Sequence, residues 1–360
     1  MINRPQFMIS VIGAGPAGCY TAYLLAKAGK EVSVFEEHKK IGSPVQCTGI
    51  VTSSINNILK PPKSAVLNKI KTARIFSKNN FVEIKLRKEN LILDRKEFDT
   101  HLAEKAKSAG AKIYLDYTFI GNEGKKVVTT KKTITVEKII GADGPSSKVA
   151  KINNMLGRRK YWFGFQARVK LRNENIVKFY PNIGTFAWVV PENKETARIG
   201  LLGNQSAKEI FAKFLKNKSK KNKIIDYQTG IVPAYNPKQI TQKNHIYLVG
   251  DAASQVKATT GGGIIQSLTA AEALADSIIN SKDYENEWRK KLGKDLWLHM
   301  KMRNIMDKFK ESDWQYLIKL FNKERNKRIL GTHDRDYPIK FVLKLLLSEP
   351  RLVYFAKYLF

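Results

Sequence analysis

The stretch Gly13-Ala14-Gly15-Pro16-Ala17-Gly18 decides how the chain begins to fold, because it directly follows an apolar run from Phe7 to Ile12. Gly13 permits a tight turn, Gly15 lets the backbone approach a phosphate, and Gly18 lets a helix pack on the preceding strand. Glu36 ends the next apolar strand, where a carboxylate can accept hydrogen bonds from a ribose hydroxyl. The pattern predicts a βαβ unit that binds FAD or NAD, and a purely structural glycine turn is the alternative.

A second glycine motif lies farther along the chain, where Leu248-Val249-Gly250-Asp251 is followed by Gly261-Gly262-Gly263. The apolar strand delivers the Asp251 carboxylate to a position where it can accept hydrogen bonds from ribityl hydroxyls. The three glycines begin a predicted helix, whose positive end stabilises the negative charge near N1 and O2 of a reduced flavin. This motif favours FAD, and an ordinary helix cap is the alternative role of Asp251.

Taken together, these residues resemble the geranylgeranyl reductase family of FAD-dependent oxidoreductases, which are relatives of the aromatic hydroxylases. The matching stretches are Gly13 to Gly18, Pro44 to Gly49, Leu93 to Asp99, Gly141 to Gly144, Phe186 to Pro191, Gly250 to Gly263 and Leu345 to Leu352. They occur in the family's order and extend over most of the chain.

The resemblance implies an α/β fold, α+β overall. In that fold a glutathione-reductase-like FAD-binding Rossmann domain is interleaved with a β-sheet substrate domain, and a helical C-terminal tail follows. Residues 1–60, 94–154 and 241–284 would form the FAD-binding domain. Residues 61–93 and 155–240 would form the β-rich substrate domain, and residues 285–360 the helical region.

Composition restricts the class of protein. The chain has 64 Lys and Arg against 32 Asp and Glu, a formal net charge of +32, but no nucleic-acid-binding motif accompanies this charge. We expect its densest basic stretch, Lys216 to Lys223, to be a solvated loop. Two cysteines argue against a disulfide scaffold, and neither a signal peptide nor a transmembrane run is recognisable. We therefore expect a cytoplasmic protein that binds neither nucleic acid nor metal.

Three further residues are candidates for the cofactor site. The resemblance places Cys47 near the reacting end of the flavin, although a small buried thiol is the alternative. It also places Arg95 near the flavin, where a guanidinium could hold the pyrophosphate or the ribityl chain, and a surface ion pair with Asp94 or Asp99 is the alternative. Asp143 is expected to support the FAD domain or the approach of a nicotinamide donor, unless it only stabilises a turn.

The stretch from Phe186 to Pro191 is the candidate substrate strand. Alternate side chains of a strand face one side, so Phe186, Trp188 and Val190 would form one apolar surface. The family's pattern is Tyr-x-Trp-x-Phe-Pro followed by Gly-x-Gly. This chain keeps Trp188 and Pro191, but it has Phe and Val at the other two positions and Leu202 for the second glycine. A plain core strand is the alternative.

We expect an FAD-dependent reductase that hydrogenates isoprenoid C=C bonds of a geranylgeranyl lipid or a related prenyl substrate. The alternatives are an FAD-dependent monooxygenase or halogenase that acts on a hydrophobic or aromatic substrate, and a prenyl carrier without flavin. The sequence does not identify the external electron donor, which could be NAD(P)H, ferredoxin or a reduced deazaflavin.

Trp188 and Cys47 are the candidate catalytic residues. Trp188 would stabilise cationic character on the alkene, and Cys47, or a water that it positions, would supply the proton.

The C-terminal segment has two alternative roles. Phe341, Leu345, Leu352, Phe355 and Leu359 recur at helical spacing, and Lys340, Lys344, Arg351 and Lys357 could meet anionic head groups. The segment would therefore either attach peripherally to the cytoplasmic membrane face or pack as helices on the substrate domain.

Overall fold

The computed structural model describes residues 8–359, so Phe7 and Phe360 lie outside the described part of the predicted first strand and helical tail. The strands are β1 (Met8–Ile12), β2 (Glu31–Glu36), β3 (Ile50–Val51), β4 (Val66–Ser77), β5 (Asn80–Leu93), β6 (Lys112–Leu115), β7 (Phe119–Glu123), β8 (Lys126–Thr129), β9 (Thr133–Thr135), β10 (Lys138–Gly141), β11 (Tyr161–Lys170), β12 (Val177–Tyr180), β13 (Phe186–Asn193), β14 (Thr196–Gly203), β15 (Ile224–Pro233), β16 (Gln242–Lys243) and β17 (Ile246–Leu248). The α-helices are α1 (Pro16–Lys27), α2 (Arg95–Ser108), α3 (Lys148–Ile152), α4 (Ala207–Ser219), α5 (Ile264–Ile279), α6 (Tyr284–Trp288), α7 (Lys294–Met306), α8 (Glu311–Phe321), α9 (Glu324–Thr332) and α10 (Ile339–Ser348).

A six-stranded sheet carries the two glycine motifs. Its order is β16-β17-β10-β1-β2-β6, and all neighbours are parallel except β16 and β17. Alternation along the strands separates two cores, because Val11 and Val34 pack with α1, α2 and α5, whereas Ile12 and Phe35 pack toward the β7-β8-β9 sheet. This is a Rossmann-type arrangement, and the predicted α/β fold is confirmed.

An eight-stranded sheet has the order β15-β11-β14-β13-β12-β4-β5-β3. Its strand β13 is buried on both faces, because Ala187 and Val189 pack under α4 while Phe186, Trp188 and Val190 belong to a cluster on the opposite face. The predicted common face of these last three side chains is therefore present.

The strands of the eight-stranded sheet can be compared with the predicted domain segments. They do not fix the domain boundaries, which remain a prediction. Strands β4, β5 and β11 to β15 come from the segments assigned to the substrate domain. Strand β3 pairs with β5 in the same sheet, although Ile50 and Val51 fall within the segment assigned to the FAD-binding domain.

The expectation of a solvated loop over Lys216 to Lys223 is wrong for its first half. Lys216 and Lys218 lie in the last turn of α4, which interrupts the β-rich segment. The helix forms because Phe211, Phe214 and Leu215 recur at helical spacing and pack against the eight-stranded sheet.

The C-terminal region is helical, as predicted. Its helix α6 packs on α5, and its helix α9 packs on β5 of the eight-stranded sheet. The predicted membrane-facing stripe is partly wrong, because Leu345 and Phe355 are only 4% and 7% exposed. Leu343 and Leu347 are exposed instead, at 63% and 80%. None of the helices in residues 8–359 combines the length and apolar character that a bilayer span requires.

The docking of α9 onto β5 gives a test of the fold. A Cβ atom at Gly331 would overlap the carbonyl oxygen of Lys85. Gly331→Ala would ordinarily favour a helix, but here we expect it to lower the free energy of unfolding by about 1–3 kcal/mol through overpacking. Urea unfolding measures this change. Thr332→Ala, at the exposed neighbouring position, should change it by less than about 0.5 kcal/mol, and a stabilised Gly331→Ala protein would contradict the packing.

Candidate functional site

The first glycine loop is shaped by backbone contacts at two glycines and is open at the third. Gly13 has φ +100°, and a Cβ there would overlap the carbonyl oxygen of Ala142. A Cβ at Gly18 would overlap the Gly13 carbonyl oxygen, whereas a Cβ at Gly15 would meet nothing within 4 Å. The open side at Gly15 lies at the N-terminus of α1, where a pyrophosphate would fit.

Glu36 contacts this loop directly. Its carboxylate accepts hydrogen bonds from the Ala14 amide at 2.7 Å and from the His38 amide at 3.0 Å, and the His38 ring Nδ1 lies 2.6 Å away. The carboxylate is thus fixed beside the phosphate-binding turn. Its bond to a ribose hydroxyl remains a prediction, and the partnership with His38 was not foreseen because it depends on the turn after β2.

Two positions of the second glycine motif, 250 and 261, also require glycine. Gly250 has φ +71° and donates its amide to Oε1 of Gln255 at 2.8 Å. A Cβ at Gly250 would lie 2.9 Å from Cβ of Ala17, so the two motifs touch at this point. Gly261 has φ +68°, and a Cβ there would overlap a methyl group of Leu202.

Asp251 is a partly buried carboxylate that lies against the start of α5. Its Oδ1 lies 3.3 Å from the position that a Cβ on Gly263 would take. Burial raises its pKa to about 6, and the positive charges of Arg95 and Arg159 oppose part of that rise. Within residues 8–359 its side chain accepts no hydrogen bond, so hydroxyl donors from a ribityl chain would satisfy it.

Arg95 and Asp143 have protein partners. Arg95 donates to both carboxylate oxygens of Asp99, at 2.9 and 2.8 Å, and this ion pair is buried rather than on the surface as its alternative role assumed. Asp143 accepts from the Ser147 hydroxyl at 2.6 Å and from the Val149 amide at 3.0 Å. It therefore caps α3, and its role toward a cofactor stays a prediction.

One apolar cavity brings part of the predicted site together. Its wall is formed by residues 46–51, by one face of the eight-stranded sheet and by the segment around the start of α5. The predicted residues in the wall are Cys47, Phe186, Trp188, Val190, Gly261, Gly262 and Gly263. The predicted residues outside it are Gly13, Gly15, Ala17, Gly18, Glu36, Arg95, Asp143, Gly250 and Asp251.

Trp188 is held in one orientation in this cavity. Its indole nitrogen donates to Oε1 of Gln166 at 2.9 Å, and the Thr48 hydroxyl donates to the same oxygen at 2.9 Å. A Cβ at Gly200 would overlap the indole ring, so the glycine on the neighbouring strand makes room for it. The polar contacts of Trp188 distinguish it from a plain core residue.

Arg198 joins the loop that contains Cys47 to the eight-stranded sheet. Its guanidinium pairs with Glu192 at 2.8 Å and donates to the carbonyl oxygens of Thr48, at 2.5 Å, and Leu93, at 3.2 Å. Arg198 could not be predicted from the sequence, because nothing local in β14 distinguishes this arginine from the exposed ones.

The cavity wall also contains a charged group that was not predicted from the sequence. Lys257 forms an ion pair with Asp336, and Arg335 and Gln266 lie beside them. The Lys257 and Asp336 side chains are only 7% and 1% exposed. Oε1 of Gln266 is buried without a partner among the described residues, as expected of an atom that awaits a ligand. In the sequence, the only sign of this charged group is that a lysine lies between the two parts of the second glycine motif.

The raised pKa of the partly buried Asp251 carboxylate predicts an unusual pH dependence. Because its folded-state pKa of about 6 lies above its usual 3.8, the folded protein holds the proton more tightly, and this group lowers stability as pH rises through that window. Asp251→Asn should therefore stabilise the cofactor-free protein above pH 6, by up to roughly 3 kcal/mol. Urea unfolding at about pH 4 and about pH 8 measures the difference.

The exposed carboxylate of Glu37 provides the matched control, and Glu37→Gln should show no such gain. An Asp251→Asn protein that is equally or less stable than the parent at the higher pH would contradict the burial argument.

The chain is similar to curated reductases over most of its length. A digeranylgeranylglycerophospholipid reductase from Methanocaldococcus jannaschii is 28% identical over 391 residues, which cover 97% of each chain. A protein of the same name from Methanosarcina acetivorans is 28% identical over 360 residues, which cover 85% of this chain and 86% of the relative.

Solved structures share the fold. One described as geranylgeranyl bacteriochlorophyll reductase-like, from Thermoplasma acidophilum, has a TM-score of 0.83 at 23% identity and covers 98% of this chain and 99% of its own. The flavin-dependent halogenase CmlS has a TM-score of 0.69 at 16% identity, over 98% of this chain and 78% of its own. The NAD(P)-binding Rossmann-like domain family matches residues 11–49. The chain is thus similar over most of its length to curated digeranylgeranylglycerophospholipid reductases, and it shares its fold with a geranylgeranyl bacteriochlorophyll reductase-like protein and a flavin-dependent halogenase.

Proposed function

We propose that the protein is an FAD-dependent reductase that hydrogenates isoprenoid C=C bonds of a geranylgeranyl lipid. The observation that carries this proposal is the single cavity in which an apolar strand face meets the Cys47 loop and the glycines before α5. The names of the relatives from Methanocaldococcus jannaschii and Methanosarcina acetivorans support a glycerophospholipid as the substrate class.

The residues of both glycine motifs fit FAD. The open side of Gly15 suits the pyrophosphate and Glu36 suits the ribose. The Asp251 carboxylate, which accepts no hydrogen bond from the described residues, suits the ribityl hydroxyls. Gly261 to Gly263 and the start of α5 would meet the electron-rich end of the isoalloxazine. When bound, FAD supplies the hydride that an alkene must receive. An external electron donor must then reduce the FAD again.

Trp188 is proposed to stabilise the alkene as it is reduced. A trisubstituted alkene is not polarised by a carbonyl, so its reduction develops tertiary-cation character as the proton arrives. An aromatic face stabilises a nearby cation by about 0.5–2 kcal/mol. The hydrogen bond from Trp188 to Gln166 fixes the indole, so the ring need not be ordered at the moment of reaction.

Cys47 is a candidate proton donor because its thiol lies in the same cavity wall. Its Sγ accepts a hydrogen bond from the Gly49 amide at 3.3 Å. A group that donates a proton must also regain one after each catalytic cycle. This requirement helps to decide whether Cys47 or another group in the cavity wall is the proton donor.

The activity is tested by anaerobic incubation of the protein with FAD, a chemical reductant and a digeranylgeranyl glycerophospholipid. Mass spectrometry should show the lipid gaining two hydrogens per reduced bond. Trp188→Leu keeps the apolar surface but removes the π face, so it should slow lipid reduction by about three- to thirtyfold, while reduction of the bound flavin proceeds as in the parent.

An exposed aromatic ring outside the cavity provides the control, and Tyr227→Leu should leave both steps unchanged. Unaltered lipid mass, together with substrate-dependent oxygen consumption in air, would reject the reductase in favour of a monooxygenase or halogenase. Protein that retains no flavin after incubation with FAD would instead indicate a carrier.

The exposed apolar side chains near the C-terminus suit a membrane surface that holds the lipid substrate. Leu343 and Leu347 are one helical turn apart on α10, and Val353 and Tyr354 are exposed in the following 3-10 helix. Lys344 is exposed between the two leucines. Apolar side chains beside lysine are typical of a helix that lies in the interface of an anionic bilayer.

Membrane attachment through this surface predicts a loss of binding to vesicles. Leu343→Asn combined with Leu347→Asn should reduce binding to phosphatidylglycerol vesicles by at least about tenfold, because two apolar contacts are removed. Co-sedimentation measures the bound fraction. Ile120→Asn, at another exposed apolar position, is the control, and equal binding by the double variant and the parent would reject this surface.

A further inference from the structure

We propose that Lys257 donates the proton that completes alkene reduction and that Asp336, Thr52 and Asp334 return a proton to it from solvent. The inference rests on the proposed reductase function and deepens it, because it assigns the acid of the same site.

Lys257 is fixed at the cavity by its backbone and by the glycine turn. Its amide donates to the Gly262 carbonyl at 3.0 Å, and its own carbonyl accepts from the Gly261 amide at 2.9 Å. The position of a Cβ on Gly262 lies 3.0 Å from Cε and 3.2 Å from Nζ of Lys257. Glycine at 262 therefore leaves room for the ammonium group in the wall that also contains Cys47 and Trp188.

Asp336 connects the ammonium group to a hydrogen-bonded chain. One of its oxygens pairs with Nζ of Lys257, and the other lies 2.7 Å from the Thr52 hydroxyl. The same hydroxyl lies 2.7 Å from Oδ2 of Asp334, which also contacts the Ser54 hydroxyl. Asp334 and Ser54 are partly exposed, so the chain extends from the buried lysine to solvent.

The geometry at Thr52 allows a proton to pass between two carboxyl groups. A hydroxyl has one hydrogen to donate and an oxygen that can accept. The Thr52 hydroxyl lies 2.7 Å from a carboxylate oxygen of Asp334 and 2.7 Å from one of Asp336, so it can donate to one carboxyl group and accept from the other when that group carries a proton. The pair Asp334 and Asp336 can hold one proton between them and pass it through Thr52.

The surroundings suit an acid that works near neutral pH. Burial and the positive charge of Arg335 lower the pKa of Lys257, whereas the carboxylates of Asp334 and Asp336 oppose this effect. His299 on α7 faces the same group, and burial beside Lys257 lowers the pKa of that histidine to about 3, so it adds no charge. An acid whose pKa lies near the working pH transfers protons efficiently.

The chemical step balances with one hydride and one proton. The π bond of the alkene breaks, one carbon receives the hydride with its electron pair from the reduced flavin, and the other forms a C–H bond with the proton released by Nζ of Lys257. Lysine becomes neutral and takes a proton from the Asp336–Thr52–Asp334 chain, which regains one from water. The alkene is reduced, and the cofactor is oxidised and then reduced again by the external donor.

Lys257→Met tests the donor role, because methionine has a similar length but no transferable proton. In anaerobic single-turnover experiments with pre-reduced, FAD-loaded protein and the geranylgeranyl lipid, flavin reoxidation should slow by about 10²–10⁴-fold. FAD affinity and flavin reduction by dithionite should stay within about twofold of the parent. Lys208→Met, at an exposed position on α4, is the matched control and should keep the parental rate.

Thr52→Val tests the return of the proton. Lys257 is already protonated at the start, so the first turnover should keep its rate, whereas steady-state turnover should fall by about tenfold or more. The parental rate should decline as pH rises through the pKa of Lys257, and a Lys257→Arg protein should lose this decline together with most of its activity.

Three results would overturn the inference. The first is an unchanged single-turnover rate in Lys257→Met with a lost rate in Cys47→Ser, which would make Cys47 the donor. The second is loss of FAD from both Lys257 variants, which would make the lysine a structural residue. The third is an unchanged steady-state rate in Thr52→Val. Failure of the parent itself to reduce the lipid would reject the proposed function instead, so the two failures are distinguishable.

Discussion

The buried guanidinium of Arg198 is the contact on which the site depends. It lies on β14 of the eight-stranded sheet, and two of its hydrogen bonds go to the carbonyl oxygens of Thr48, in the loop that contains Cys47, and of Leu93, at the end of β5. Glu192 supplies the opposite charge, and each side chain is only 5% exposed. A buried pair of this kind loses solvation, and its hydrogen bonds offset that loss only while every partner remains in place. The same contact therefore joins the loop that contains Cys47 to the sheet that carries Trp188, and both residues line the cavity.

Burial determines the chemistry of the cavity as well as its shape. Removing carboxylates and lysines from water disfavours their charged forms, so Asp251 and Lys257 both have pKa values shifted toward neutrality. The Asp251 carboxylate accepts no hydrogen bond from residues 8–359, which suits a partner that arrives with hydroxyl groups. Lys257 is left with a carboxylate chain behind it, which suits a partner that needs a proton.

The sequence predicted the features that depend on local backbone geometry. Gly13, Gly18 and Gly250 allow close contacts that no other residue permits, and alternation along β13 placed Phe186 and Trp188 on one face. It could not predict pairs created by tertiary packing. Lys257 and Asp336 are 79 residues apart, and neither belongs to a pattern that links them. The helix α4 was missed because its apolar spacing lies within a strongly basic stretch.

The central claim is that one cavity brings a reduced flavin and an isoprenoid double bond together. Anaerobic titration of the dithionite-reduced, FAD-loaded protein with a geranylgeranyl glycerophospholipid tests it most directly, with the fully saturated lipid as the control. The oxidised flavin spectrum should return in proportion to the double bonds added, and the saturated lipid should leave the flavin reduced. A flavin that stays reduced with both lipids would contradict the account.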